Sequence, residues 1–248
     1  MFSEKKESLD QKYLKNKITK TGTTIVGVKY KTGVVLCADT RSTSGNVVAD
    51  KNCRKIHFIS DKIMCCGAGT AADTNQVTRM ASKHMLLFQY KYLKQPLISH
   101  CRRLIQDYLF QYNGQIGAAL VLGGIDSTNG VKLYTISPHG YSKDMDYATM
   151  GSGSFAATGV LETRFKKGME LEEAIELGKD AIKAGILNDL YSGSNVDIFI
   201  IDEKFNKQLR NYEIVEKKKN ESTIIYPKNS IAISKEEIFN YIEEVVDE

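Results

Sequence analysis

No run in this 248-residue chain approaches the ~20 apolar residues that a membrane-spanning helix needs. The longest, Ile116 to Gly124, fits a buried strand. There is no GxxxxGK(S/T) phosphate loop, no His-Glu zinc motif and no Ser-His-Asp arrangement. The four histidines, His57, His84, His100 and His139, lack metal-ligand spacing, and His84 falls on an apolar stripe where a packed residue is expected. Five cysteines (Cys37, Cys53, Cys65, Cys66, Cys101) form no paired spacing, and an odd count without a signal peptide fits free thiols in a reducing compartment. Cys65 and Cys66 are neighbours in a strand pattern, so they point to opposite faces and cannot chelate one metal together. Charge is nearly balanced, 34 basic against 30 acidic residues, and the lysines gather near the two ends, which gives no nucleic-acid surface.

What remains is ordinary for a soluble globular protein, with 42% hydrophobic and 26% charged residues. The leader, Met1 to Gly22, has no apolar core, contains Lys but no Arg, and includes Glu4, Glu7 and Asp10. It is therefore neither a secretory signal nor a mitochondrial presequence. A removable propeptide fits better than a tail kept for life; the two differ in whether the chain is cut before Thr23.

From Thr23 the period is that of strands. Thr23 to Tyr30 and Val34 to Asp39 flank a turn at Lys31-Thr32-Gly33, and Lys55 to Ile59 and Lys62 to Cys66 read as a hairpin turning at Ser60-Asp61. Gly67-Ala68-Gly69 breaks the strand pattern. Val77, Met80, Ala81, His84, Leu87 and Phe88 then fall at helical spacing, with Thr70 or Asp73 as cap, and Pro96 to Gln111 reads as a second helix. Two strands (Gln115 to Leu122, Lys132 to Ser137), two helices (Ser154 to Phe165, Leu171 to Asn188) and a strand (Val196 to Asp202) follow, with Gln208 to Glu213 as a further strand candidate. Grouped rather than alternating elements predict an α+β fold: a four-layer αββα sandwich of two antiparallel sheets flanked by helices. This divides the chain into a leader (1–22), one domain (23–213) and an extension (214–248). The extension is either a loose tail or an arm that docks on a neighbouring subunit.

The Gly22-Thr23-Thr24 junction is where chemistry enters. A cut there would give Thr23 a free α-amine beside its own hydroxyl, and an N-terminal amine is a recognised activator of a Thr nucleophile. Its reference pKa of roughly 7.7–8.0 lies near working pH. A Lys ammonium beside it lowers that value and stabilises alkoxide charge, and a carboxylate holds the Lys in place. Lys55 and Asp39 are the candidates, although each alone reads as a solvated residue. If Lys31-Thr32-Gly33 is a three-residue loop with Gly33 in the left-handed region, Thr23 pairs with Arg41 and Asp39 shares its face; a two-residue loop turns Asp39 away. The catalytic reading thus predicts the longer turn. Gly67-Ala68-Gly69-Thr70 offers unpaired N–H groups to an oxyanion. Asn188-Asp189-Leu190-Tyr191-Ser192-Gly193-Ser194 also fits a plain glycine-mediated helix stop.

With these residues in view, the chain resembles the beta subunits of the 20S proteasome, a family of N-terminal-nucleophile hydrolases. The resemblance covers roughly Gly22 to Asp202 and rests on Gly-Thr-Thr, Gly33 to Arg41, Lys55-Ile56, Gly67-Ala68-Gly69, Gly151-Ser152-Gly153 and Asp189 to Gly193. Within the family it is nearest the trypsin-like class, through Val48 to Cys53, Cys65 to Thr74 and Gly117 to Gly124. The resemblance implies a threonine endopeptidase of a stacked heptameric-ring particle, acting in cytoplasm and nucleus on unfolded or ubiquitin-targeted proteins. It implies removal of Met1 to Gly22, Thr23 as nucleophile, Asp39 and Lys55 as its charge partners and the Gly69 N–H as oxyanion donor. Ser152, Asp189 and Ser192 match the supporting shell. Thr43, Cys53, His57, Gly67, Ala71 and Asn75 match substrate-binding positions. No cofactor or metal is implied; the partners implied are the other alpha and beta subunits and polypeptide substrates. Asn75 stands where the class commonly has an acid, so Asp73 or a neighbouring subunit would have to supply the charge that selects a basic side chain. Non-catalytic ring subunits of the family lack the processed Thr or the Lys, and retention of Thr23, Asp39 and Lys55 together argues against that alternative.

Overall fold

The computed structural model describes residues 22–215. In chain order the elements are β1 (Ile25–Tyr30), β2 (Gly33–Asp39), β3 (Ser42–Ser44), β4 (Val47–Asp50), β5 (Ile56–Ser60), β6 (Ile63–Gly69), α1 (Ala71–Tyr92) and α2 (Ile98–Gln111). Then come β7 (Ala118–Asp126), β8 (Gly130–Ile136), β9 (Ser142–Asp144), β10 (Tyr147–Met150), α3 (Ser154–Arg164), α4 (Leu171–Asn188), β11 (Asn195–Asp202) and β12 (Asn206–Ile214). The leader and nearly all of the extension lie outside the described residues. The domain reaches past 213, because Val215 is buried and its N–H donates to Ser194 O at 3.0 Å.

Two five-stranded antiparallel sheets carry the fold, in the orders β10-β1-β2-β11-β12 and β5-β6-β7-β8-β9. Strand β2 is buried along its whole length, so it reads as a continuous apolar run rather than an alternation. One face of its sheet (Val26, Val35, Ile198) packs under Ala157, Leu161, Ala181 and Ile182 of α3 and α4. The other face (Ile25, Leu36) meets Cys66, Val121 and Leu133 of the second sheet. Beyond that sheet, Cys65, Leu120 and Leu122 pack against Val77, Ala81, Ile105 and Leu109 of α1 and α2. This is the expected αββα sandwich, and Cys65 and Cys66 do face opposite layers. Helix α4 starts at a reciprocal cap between Glu170 and Glu173, which satisfies N–H groups of its first turn.

Several local expectations fail. The β1–β2 turn has two residues: Tyr30 pairs with Gly33 and Ile25 with Ala38, so Thr24 faces Asp39. Gly33 is not in the left-handed region. A Cβ there would lie 2.0 Å from Ile201 O, so glycine serves clearance to β11 rather than a bulge. Gly67-Ala68-Gly69 does not break β6, which pairs through Gly69 with Ala118, and the next N–H, of Thr70, is taken by Gly117 O at 2.8 Å. Thr70 caps α1 without a side-chain bond, and the Asp73 carboxylate turns outward to the Gly117 N–H at 2.8 Å. Helix α1 buries Thr74, Val77, Thr78, Ala81 and Met85, which leaves His84 exposed. Strands β3, β4, β9 and β10 were not legible, being three or four residues each.

Candidate active site

Thr23 lies just before β1, where that strand and β2 reach the open edge between the two sheets. Its side chain is nearly closed off from solvent, and Thr24 and Asp39 are fully buried. The Thr24 N–H donates to Asp39 Oδ1 at 2.9 Å and Asp39 N–H donates back to Thr24 O at 3.1 Å. Asp39 Oδ2 accepts from the N–H groups of Gly193 (3.1 Å) and Arg41 (3.3 Å). Four donors converge on this one buried carboxyl.

The fourth donor is Lys55. Its ammonium spends all three hydrogens in the site: on Asp39 Oδ1 at 2.8 Å, on Thr23 Oγ1 at 3.0 Å and on Gly22 O at 3.2 Å. Thr23 Oγ1 in turn donates to Gly22 O at 2.7 Å. The register that should have turned Asp39 away does not matter, because the four-carbon stem of Lys55 spans the two faces. The same cation therefore sits against the hydroxyl and against the carbonyl of the bond preceding it.

A second network holds the Thr23 nitrogen. Its N–H donates to Ser152 Oγ at 3.1 Å, and Ser152 donates to Asp189 Oδ2 at 2.6 Å. Asp189 Oδ2 also accepts from Ser192 Oγ (2.6 Å) and Ser192 N–H (3.1 Å). With the Ser192 hydrogen spent there, Thr24 Oγ1 supplies the hydrogen of its 2.8 Å contact with Ser192 Oγ. Burial works against the charge of Asp189, but the hydrogen bonds from Ser152, Ser192 and backbone N–H groups outweigh it and hold the carboxyl below its usual range.

Close backbone approach explains two glycines. A Cβ on Gly22 would lie 2.0 Å from Tyr191 Cβ. Gly151, at φ 98°, would place one 2.1 Å from Thr23 O.

Thr23 stands between two cavities. One, of about 510 Å³, is lined by Gly69, Thr70, Ser152 and Tyr191 among others. The narrower one is walled by Cys53, His57, Gly67, Ala71, Thr74 and Asn75. Arg41, Arg54 and Lys55 also border it, and no carboxylate among the described residues does. Burial pushes His57 below its ordinary value, towards the neutral form, and pushes the Cys53 thiol up against the opposing pull of Lys55. Thr43 lies on β3 outside both linings, with its Oγ1 buried and without a hydrogen-bond partner among the described residues. Asp73 accepts from the Gly117 N–H and is not among the residues lining this cavity.

Sequence reasoning passed over Thr24, Arg41 and Gly193 as members of the site. Gly185, inside α4, was equally silent, yet a Cβ there would lie 2.4 Å from Thr24 Cγ2. An isolated glycine in a helical pattern was the available signal. Among the described residues no group of His, Cys, Asp or Glu gathers to hold a metal, and no helix is long and apolar enough to cross a membrane.

A family model described as "Proteasome subunit" matches residues 19–201. The chain is 57% identical over 227 residues to a probable proteasome subunit beta type-2 of Encephalitozoon cuniculi, covering 92% of this chain and 99% of that one. It is 50% identical over 220 residues to proteasome subunit beta type-7 of Dictyostelium discoideum (88% and 82% covered). It is 46% identical over 228 residues to proteasome subunit beta type-2 of Saccharomyces cerevisiae (90% and 86%).

Proposed function

The chain belongs to the proteasome subunit family, and from that premise and the contacts of Thr23 we propose that it is a catalytic beta subunit, a threonine-type endopeptidase made as a precursor. One observation carries the reading. The Lys55 ammonium, fixed by buried Asp39, touches both the Thr23 hydroxyl and the Gly22 carbonyl oxygen.

In the precursor, Thr23 Oγ attacks the Gly22 carbonyl carbon while Lys55 stabilises the charge that develops on the oxygen. The C–N bond breaks, the proton passes to the departing nitrogen, and Gly22 is left as an ester on Thr23. The α-amine is free from that moment; water then hydrolyses the ester, releasing the leader with a Gly22 carboxylate and restoring the Thr23 hydroxyl. In the mature subunit that amine takes the proton of Oγ as Oγ attacks a substrate carbonyl, and returns it to the leaving amine. An acyl-enzyme ester forms and is hydrolysed by the same base. Lys55 favours the neutral amine and stabilises alkoxide character, and the Ser152–Asp189 pair orients the nitrogen. The Gly69 N–H is assigned the substrate oxyanion.

We assign the subunit to a stacked-ring particle of alpha and beta subunits in cytoplasm and nucleus, with residues beyond 215 as the arm to a ring neighbour. Preference for a basic residue on the acyl side of the cut follows the resemblance to the trypsin-like class. Since no carboxylate among the described residues lines the pocket, we assign the selecting acid to a neighbouring subunit. The test is the intact mass of the chain in purified particles together with reporter-peptide turnover. A chain beginning at Thr23 and loss of both self-cleavage and turnover in Thr23→Ala support the reading; turnover that survives Thr23→Ala removes it.

A further inference from the structure

Arg210 lies on β12 beside Asn211, whose φ is 52° and which sits where the β11–β12 register slips between Val196 and Ile198. Such a bulge bends a strand and re-aims its side chains. The Asn211 N–H donates to Asp197 Oδ1 at 2.9 Å, and the Arg210 guanidinium donates through Nη1 to Asp197 Oδ2. Asp197 is almost fully buried. The other end of the guanidinium reaches out of the sheet: Nη2 donates to Asn52 O at 2.9 Å and to Asn52 Oδ1 at 2.6 Å.

Asn52 belongs to the irregular segment between β4 and β5 that delivers Cys53 to the narrow cavity beside Thr23. Its other ties are the Asn52 N–H to Asp50 Oδ1 (2.8 Å) and two from Thr40, through Thr40 Oγ1 to Lys51 O (2.8 Å) and Cys53 N–H to Thr40 O (2.9 Å). Lys55, two residues on, is held separately, by Gly67 N–H on its carbonyl at 3.1 Å and by Asp39 on its ammonium. Arg210 therefore grips the pocket wall without touching the reacting groups. A planar fork fixed at one end by a buried carboxylate transmits orientation to whatever its other end holds.

We propose that Arg210, bridging Asp197 of β11 to Asn52, is a positioning residue that holds the Cys53 wall and so sets the width of the specificity pocket.

The test compares wild-type, Arg210→Ala and Arg210→Lys chains in assembled particles. The first readout is the rate at which a neutral maleimide alkylates Cys53 at fixed pH, followed on the Cys53 peptide by mass. Cys53 is partly exposed, whereas Cys37, Cys65, Cys66 and Cys101 are buried. The sign discriminates, because the Arg210 charge favours the Cys53 thiolate. Loss of that charge alone slows alkylation, while release of the wall speeds it. Arg210→Ala is expected to react roughly tenfold faster, the loss of about one charge-assisted hydrogen bond, with Arg210→Lys in between. The second readout, which rests on the threonine-peptidase reading, is a KM raised by a similar factor with kcat held within about twofold. If turnover survives Thr23→Ala, that reading falls and the alkylation rate alone decides the clamp. Unchanged or slower alkylation in Arg210→Ala, or a loss in kcat with KM unmoved, overturns the proposal. Should Arg210→Ala fail to assemble, Asn52→Ala, which removes only the Oδ1 contact, carries the same two readouts.

Discussion

Asp39→Asn separates the charge of the site from its shape. The carboxylate accepts from Thr24 N–H and Lys55 on one oxygen and from Gly193 and Arg41 N–H on the other. An amide of the same size has one acceptor and one donor end. With its oxygen towards Lys55, its NH2 meets two backbone donors; flipped, the NH2 meets an ammonium and a third N–H. The favoured orientation leaves two buried donors unpaired, at ~1–3 kcal/mol each, and removes the counter-charge of a buried ammonium. Breaking a buried pair from one side costs ~3–5 kcal/mol. If about 3 kcal/mol of that falls on the placement of Lys55 in the transition state, kcat drops on the order of a hundredfold. The assay is reporter hydrolysis by assembled particles carrying Asp39→Asn, with intact mass reporting how much of the chain begins at Thr23. Both should fall together, since one ammonium serves both steps. A variant with complete processing and kcat within threefold of wild type would refute the reasoning, because it would show that Lys55 keeps its place without the carboxylate.

Gly22→Ala puts a methyl 2.0 Å from Tyr191 Cβ, so the Gly22 carbonyl must leave Lys55 and Thr23. Particles should retain the leader by intact mass, whereas a chain supplied already starting at Thr23 should be fully active. Asn75→Asp adds the missing charge to the narrow cavity and should raise kcat/KM for arginine reporters about tenfold, from roughly 1.4 kcal/mol of Coulombic attraction across a partly solvated gap, without improving neutral reporters; equal gains for both would place the residue outside selectivity. Against burial, Asp189 has its carboxyl held below the ordinary aspartate value of 3.8 by hydrogen bonds from Ser152 and Ser192. Its contribution to stability is therefore fully present above the unfolded value and is lost as pH falls through the folded one. Asp189→Asn should lower denaturation midpoints by a constant amount from pH 7 to 5 and flatten the decline at more acid pH; a difference that grows between pH 7 and 5 would contradict the assignment.

The layers of this fold were legible because burial on both sides leaves long apolar runs, as in β2 and Ala118–Asp126, and because Val77 and Ala81 of α1 recur at helical spacing and are buried. Strands β3, β4, β9 and β10 were not, since three or four residues cannot display a period and are fixed only by the partner they meet: Tyr147–Met150 is a strand because β1 offers it an edge. The site shows the same division. Thr23, Asp39 and Lys55 could be named because their chemistry is joint, yet the register argument meant to unite them was wrong. It treated side-chain direction in a strand as decisive at a point where the ladder ends. There, the carboxylate of Asp39 is held by the backbone N–H groups of Thr24, Arg41 and Gly193, and the length of Lys55 covers the remaining distance. Alternation constrains residues in the interior of a sheet, where the pleat leaves them no other direction. At a strand end the nearest donors decide, and those donors lie 154 positions apart in the case of Gly193, a separation that no local pattern encodes.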